Sequence, residues 1–294
     1  MLPLLSVIVP SFNQAQFIEE TLLSILDQNY PGLELIVIDG GSTDGSVDII
    51  RKYEDRIAYW VSEPDRGQSH AINKGFEKAT GEWIAWMNSD DCYLPGALDF
   101  VFGKLPHVQL DFIYGTCTTG PDIPNLVHKD FSKDHKPNLF QLLLFFHSTE
   151  HIIPSQSVFL RRSIISKAGL LDEKLHYVMD LDWYARIFMV TRRRMYYRYP
   201  ACFYRKHAAT KTRNDGHLMK DEAITVALKY LPQLKCWQRY KLRRIIEQEN
   251  AYRDQFFKTR SFKEVLFLAY KFPVQCLHTR HFLPMLFRSV FPKK

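Results

Sequence analysis

Apolar and polar positions fall into short alternating blocks over the first hundred residues. Four apolar, β-branched runs, at 6–10, 33–39, 57–62 and 83–88, read as strands. Between them the apolar residues recur at helical spacing: Phe17, Thr21, Leu22, Ile25 and Leu26, then Val47, Ile50 and Tyr53, then Ala71, Ile72, Gly75 and Phe76. Strand and helix therefore alternate, joined by short Gly, Asp, Ser and Pro connections. That order predicts an α/β fold with a mainly parallel sheet covered by helices on both faces.

A helix is expected over 96–105 and a strand over 111–116, after which the pattern loosens. Residues 117–136 are polar and punctuated by Pro and Gly, which reads as a loop. Beyond it the spacing predicts a helix over 138–146, a strand over 156–161, a helix over 182–190 and a Tyr-rich strand over 194–205. From 216 onward the chain reads as basic amphipathic helices broken near Pro232, Pro273 and Pro284. The expected organisation is a catalytic domain over 1–215, divided at 116/117 into two halves, and a helical basic extension over 216–294.

Charge supports that division. The chain of 294 residues carries a net +7, but residues 220–294 hold 16 Lys/Arg against 6 Asp/Glu, a net +10. A near-neutral body with a basic tail implies an anionic partner for the tail. No run approaches the roughly 20 apolar residues of a membrane-spanning helix. The apolar start of the chain is broken by Pro10-Ser11-Phe12-Asn13 and reads as a buried first strand rather than a signal peptide. The five cysteines are scattered without a CxxC pair, which points away from a disulfide framework or zinc site and towards a reducing compartment.

In open parallel sheets ligands bind at the carboxyl ends of the strands. Here those ends are unusually polar: Pro10 to Asn13, Asp39-Gly40-Gly41-Ser42-Thr43-Asp44, Glu63-Pro64-Asp65-Arg66-Gly67 and Asn88-Ser89-Asp90-Asp91. Turn-making and helix capping account for any one of them; four in succession point to one ligand site. Asp90-Asp91 is the most informative pair, because adjacent carboxylates repel unless a cation or donors compensate. Carboxylate oxygens suit Mg²⁺ or Mn²⁺ shared with substrate phosphates. GxxxxGKS and GxGxxG are both absent, against a P-loop ATPase or a nicotinamide dehydrogenase.

Taken together, these motifs resemble the family 2 glycosyltransferases of GT-A fold, inverting enzymes, over residues 4–212. The resemblance rests on the runs 6–13, 39–44, 64–68 with 71–75, Thr80-Gly81-Glu82 and 88–91, and on 156–162, 169–172 and 177–183. It implies that Asp39 contacts the nucleoside base, that Pro10, Ser11 and Asn13 lie beside the nucleotide, and that Asp90 lies near the ribose. It implies further that Arg66, Gly67, Asn73 and Lys74 border the diphosphate and sugar, and that Asp91 ligates the metal. Asn88 stands where many relatives carry Asp, which leaves Asp91 as the one expected carboxylate ligand. His70 stands where relatives often carry an acidic residue, and a surface helix position is the favoured account of it.

On the acceptor side the resemblance makes Asp180 the base that takes the proton of the attacking hydroxyl. Asp182 competes for that role, and helix capping competes as an account of Asp180. The basic segment holding Arg205, Lys206, His207, Lys211 and Thr212 is similar to the family's loop beside the diphosphate. His207 is a candidate second metal ligand or part of a solvated loop, and Lys211 a candidate donor-binding residue. The implied partners are a nucleoside-diphosphate sugar and a saccharide or lipid-linked acceptor. The basic tail, with Trp237, Tyr240, Phe262, Leu266, Tyr270, Phe282, Leu286 and Phe287, suits a cytoplasmic enzyme peripheral on an anionic membrane, or else packs on the domain. Two other classes remain in view: a sugar nucleotidyltransferase, which needs a Gly-rich, Arg-containing first loop not found here, and a basic nucleic-acid-binding protein, for which no motif is present.

Overall fold

In a computed structural model of the chain, residues 2–122, 127–129, 137–148, 152–207, 216–256, 267 and 269–272 are described. Lys211, Thr212 and most of 257–294, including Phe262, Leu266, Phe282, Leu286 and Phe287, lie outside them.

The strands are β1 (Leu5–Ser11), β2 (Leu33–Asp39), β3 (Tyr59–Ser62), β4 (Trp83–Trp86), β5 (Cys92–Tyr93), β6 (Phe112–Gly120), β7 (Val127–Lys129), β8 (Phe159–Arg161) and β9 (Arg194–Arg205). They form one sheet in the order β3-β2-β1-β4-β8-β6-β9-β5, with β7 also paired to β6. The first four are parallel, as the alternation predicts. Beyond β4 the sheet is mixed: β8 runs antiparallel to both β4 and β6, β9 is parallel to β6, and β5 is antiparallel to β9. "Mainly parallel" thus describes only the half formed by β1 to β4.

The helices are α1 (Ile18–Leu26), α2 (Ser46–Lys52), α3 (Gln68–Lys78), α4 (Leu139–Leu142), α5 (Arg162–Ala168), α6 (Met179–Val190), α7 (Gly216–Lys229) and α8 (Cys236–Phe256). The helix expected over 96–105 is a π-helical turn at Asp99–Lys104, and that over 138–146 is reduced to α4. Helix α6 begins three residues earlier than expected, which places Asp180 inside its first turn.

Both sheet faces are buried, and this explains why the strands read as continuous apolar runs. Successive side chains point to opposite faces. Leu5, Val7, Val9, Leu35, Val37, Trp83 and Ala85 pack with Ile18, Leu22 and Ile25 of α1 and Ile50 of α2. Ile8, Ile36, Ile38, Ile84 and Trp86 pack with Ala71, Ile72 and Phe76 of α3 and with Trp183 and Ile187 of α6. Gly75 lets α3 approach β1: a Cβ there would lie 2.4 Å from Ile8 Cγ2. Ala223, Ile224, Val226 and Ala227 of α7, with Leu242 and Ile246 of α8, are buried in the same core. The expected boundary at 215/216 therefore does not separate two cores: the first two helices of the basic region share the core of the sheet and its helices. No helix among the described residues is long and apolar enough to cross a membrane.

Candidate active site

The loops after β1 and β2 are stitched together. Asn13 adopts a positive φ of 52°, its amide donates to Ser42 Oγ at 2.7 Å, and its Oδ1 accepts from the Thr43 amide at 3.0 Å. Asp39, buried at the end of β2, accepts from the amides of Gly41 (3.1 Å) and Ser42 (2.8 Å) and from the hydroxyls of Ser42 (2.6 Å) and Ser62 (2.7 Å). It fixes the turn that would border a base. Pro10 and Ser11 close β1; Ser11 is buried, and its Oγ has no hydrogen-bond partner among the described residues.

Asp90 and Asp91 diverge. Asp91 is fully buried, and its Oδ1 accepts from the Arg205 amide at 2.8 Å. Its Oδ2 accepts from Gln156 Nε2 at 2.5 Å and Asn88 Nδ2 at 3.1 Å. Burial, then the Asp90 charge, pushes the Asp91 carboxyl up to about 8. A carboxylate enclosed in this way does not present an oxygen to a cation, which runs against the ligand role expected for Asp91. Asp90 faces outward instead. Its Oδ2 lies 2.9 Å from His207 Nε2, both side chains keep about a fifth of their surface exposed (20% and 17%), and His207 rests on the Phe17 ring at 4.7 Å. The Asp90 carboxylate is an oxygen donor that suits Mn²⁺ or Mg²⁺ completed by phosphate oxygens, and the imidazole nitrogen beside it favours Mn²⁺ over Mg²⁺. No group of three or more His, Cys, Asp or Glu able to hold a metal occurs among the described residues. Asn88 Oδ1 accepts from Gln68 Nε2 at 2.8 Å, which ties this turn to the start of α3.

Arg205 is an organiser rather than part of a solvated loop. It is buried, its Nε donates to the Asp90 carbonyl at 2.9 Å, its Nη2 donates to Glu20 at 2.5 Å, and it lies over the Phe17 ring at 5.1 Å. Charge-assisted donors held this firmly fix the backbone on which Asp90 and His207 sit.

Around the start of α3, Gly67 takes φ 108°, a conformation that favours glycine. The Arg66 guanidinium is exposed and bridges to Glu173 at 2.7 Å. His70 Nδ1 accepts the Arg66 amide at 3.1 Å, so His70 braces this turn in its Nε2–H tautomer. Asn73 is also a brace: its Nδ2 donates to the Leu171 carbonyl (3.0 Å) and its Oδ1 accepts the Leu171 amide (2.9 Å). With both ends spent on backbone, Asn73 is turned from the donor contact expected of it. Lys74 pairs with Glu63. A cleft of about 260 Å³ opens between Arg66–Ser69 and Glu173, Leu175, His176 and Met179.

Asp180, one residue on, lines a second pocket of about 230 Å³ whose other walls are Leu142, Phe145, Ile152, Ile153, Leu181 and Tyr184. The start of α6 thus stands between a polar cleft and an apolar one. Asp180 is half-buried, its Oδ1 accepts the Leu181 amide at 2.7 Å, and burial pushes its carboxyl up to about 6. It does not cap the helix: the N-cap position is Val178. Asp182 points elsewhere. It is fully buried and accepts from Arg186 (2.8 Å), Lys229 (2.7 Å) and Tyr230 (2.8 Å), which hold it well charged. Glu222 is a site-building residue outside every motif of the sequence, and nothing in the runs that hold Gln68, Gln156 and Arg205 points to the bracing contacts they make. Their partners lie 20 to 185 positions away, so nothing local marks these contacts.

Comparison with known proteins matches the profile described as "Glycosyl transferase family 2" to residues 6–167, more than half of the chain. The chain is 29% identical over 198 residues to an uncharacterized glycosyltransferase of Rickettsia typhi, covering 64% of this chain and 60% of that protein. It is 45% identical over 92 residues to the putative teichuronic acid biosynthesis glycosyltransferase TuaG of Bacillus subtilis, 30% of this chain and 36% of that one. The chain thus spans three fifths or less of the length of these relatives. Among solved structures, S. aureus TarS 1–349 in complex with UDP-GlcNAc aligns with a TM-score of 0.65 at 17% identity, over 81% of this chain and 70% of that one. The mannosyltransferase PcManGT from Pyrobaculum calidifontis, in complex with GDP-Man and Mn²⁺, aligns with a TM-score of 0.60 at 19% identity, over 100% and 89%. At these identities the likeness shows the fold.

Proposed function

The chain belongs to glycosyl transferase family 2, and from that premise we propose that it is an inverting enzyme that moves a sugar from a nucleoside-diphosphate sugar to an acceptor hydroxyl. The observation that carries this is the position of Asp180. It is a half-buried carboxylate without an ion pair among the described residues, lining an apolar pocket and next in sequence to Met179, which lines the polar cleft. A carboxylate so placed can take the proton of the attacking hydroxyl while the nucleoside diphosphate leaves from the opposite face of the sugar. On the donor side, Asp39 and the Asn13 loop border the base, Pro10 and Ser11 line the nucleotide, and Arg66, Gly67 and Lys74 border the diphosphate and sugar.

Asp90 and His207 would hold a divalent cation, as the pairing of their side chains allows. When bound, Mn²⁺ or Mg²⁺ would neutralise charge on the diphosphate. The solved mannosyltransferase of the same fold contains Mn²⁺. Lys211 remains a candidate for the same diphosphate, on the family resemblance alone.

For the acceptor, the apolar pocket beside Asp180 favours a saccharide carried on a lipid, and the likeness to a teichuronic acid enzyme favours a cell-surface polysaccharide or glycolipid. Helix α8 adds a docking surface: Trp237 and Tyr240 are exposed beside Lys235, Arg239, Lys241, Arg243 and Arg244. Such a face suits peripheral attachment to the anionic, cytoplasmic side of a membrane.

The test is a thermal-shift panel of UDP-GlcNAc, UDP-glucose and GDP-mannose with and without Mn²⁺, followed by product analysis. A ligand bound only by the folded state raises the melting temperature. Slow release of nucleoside diphosphate from the stabilising donor is the expected result. Release of pyrophosphate, or no stabilisation by any of them, would overturn the proposal.

A further inference from the structure

Helix α6 carries Asp180 in its first turn, yet its own N-cap residue, Val178, has no side chain able to satisfy the helix's free amides. The stretch that leads into the helix, up to the N-cap, is instead held from outside. Glu222, on α7, accepts the amides of His176 at 2.7 Å on Oε1, and of Tyr177 at 2.6 Å and Val178 at 2.8 Å on Oε2. Three charge-assisted hydrogen bonds from consecutive residues leave that stretch of backbone little freedom. A negative charge at a helix N-terminus is also favoured by the helix dipole.

A second contact of opposite polarity lies farther along the same two elements. Asp182 of α6 accepts from Lys229, the last residue of α7, and from Tyr230 just beyond it. Asp180 thus lies between two clamps, one reaching from α7 to the entry of α6 and one from α6 back to the end of α7. Neither Glu222 nor Lys229 falls within the residues matched to the family.

We propose that Glu222 is a positioning residue for the base Asp180: by holding the 176–178 backbone it fixes the first turn of α6, and with it the direction of the Asp180 carboxylate. Simple capping would make Glu222 matter only to stability. Positioning makes it matter to the chemical step, because a displacement of about 1 Å in a reacting group can cost on the order of a hundredfold in rate. The proposal rests on Asp180 being the base.

The experiment uses the full chain and whichever of UDP-GlcNAc, UDP-glucose and GDP-mannose stabilises it most. Release of nucleoside diphosphate is measured for the wild type, Glu222→Gln, Glu222→Ala, Asp180→Asn and the double variant Glu222→Gln/Asp180→Asn. Glu222→Gln keeps one acceptor oxygen and should lower kcat about tenfold; Glu222→Ala should lower it about a hundredfold. Donor KM should change less than kcat in both, since Glu222 contacts none of the side chains assigned to the donor. The double variant should be no slower than Asp180→Asn, because a residue that acts through Asp180 has nothing left to position.

An unchanged kcat in Glu222→Gln and Glu222→Ala would overturn the proposal. So would an equal loss from Glu222→Gln in the presence and absence of the Asp180 carboxylate. If Glu222→Ala fails to fold, Glu222→Gln and the double variant still decide. If Asp180→Asn itself retains turnover, it is the assignment of the base that fails.

Discussion

Asp180 and Asp182 stand two residues apart on α6 and have opposite surroundings: Asp180 lines an open apolar pocket, while Asp182 is sealed on Arg186, Lys229 and Tyr230. Two residues along a helix is about 200°, so both cannot face one substrate. Asp182→Ala would leave Arg186 and Lys229 without their partner. Loss of one side of a buried pair costs about 3 kcal/mol even with Lys229 half-exposed, or roughly 5 °C in melting temperature for a chain of this length. Asp180→Asn should melt within a few degrees of wild type and lose turnover about a hundredfold or more. Calorimetry and a rate assay on both variants check this; a stable, inactive Asp182→Asn would reverse the two roles.

The pH profile should report Asp180. Its carboxyl is pushed up to about 6, first by burial and last by the charge of Glu222. A general base works deprotonated, so kcat should be low below pH 6, rise through about pH 6 and level off above it. The measurement is kcat at saturating donor from pH 5 to 8. A flat profile across that range would remove Asp180 from the chemical step.

Asp90 and Asp91 should separate cleanly. Asp90→Ala and His207→Ala should each weaken binding of UDP with MnCl₂ by about tenfold or more, measured by titration calorimetry, with little change in melting temperature. Asp91→Ala should lower the melting temperature without any ligand present. It strands the Arg205 amide and the side chains of Gln156 and Asn88, and an unsatisfied buried polar group costs about 1–3 kcal/mol. Asp91→Ala with wild-type melting but abolished Mn²⁺-dependent binding would restore Asp91 as the ligand.

The parallel half of the fold is legible in the sequence because its strands pack on both faces and its helices are amphipathic. Both leave periodicities that need no knowledge of neighbours. The antiparallel additions are not legible in that way: β8 is three residues long, and pairing direction depends on how a strand is led back to the sheet. The site was legible as a set of strand ends, not as directions. Asp90 and Asp91 are adjacent and chemically identical, and what turns one inward is Gln156 and Arg205, 65 and 114 residues away. The helix boundary at α6 was misplaced for a similar reason. The backbone leading into it, up to the N-cap Val178, is held by Glu222, 44 residues beyond Val178, so no Ser, Thr or Asn marks the start.

The final prediction concerns the membrane, and the packing of α7 and α8 decides how it is tested. A chain ending at 215 would lose Ala223, Ile224, Val226, Leu242 and Ile246 from the core, and with them the Glu222 and Lys229 clamps, so its failure to bind lipid would be uninformative. Substitutions on the exposed face of α8 avoid that. Trp237 and Tyr240 are 58% and 68% exposed, and Lys241 and Arg244 are exposed on the same helix. Each basic residue near an anionic leaflet contributes about 1 kcal/mol, and the aromatic rings favour the interface. The full chain should therefore float with vesicles containing phosphatidylglycerol at low salt and remain with the protein fraction on phosphatidylcholine alone. Trp237→Ser/Tyr240→Ser should weaken flotation at low salt, and Lys241→Glu/Arg244→Glu should nearly abolish it, with melting temperatures close to wild type. If both variants float as the wild type does, the charge of α8 is merely solvated and membrane attachment does not run through this helix.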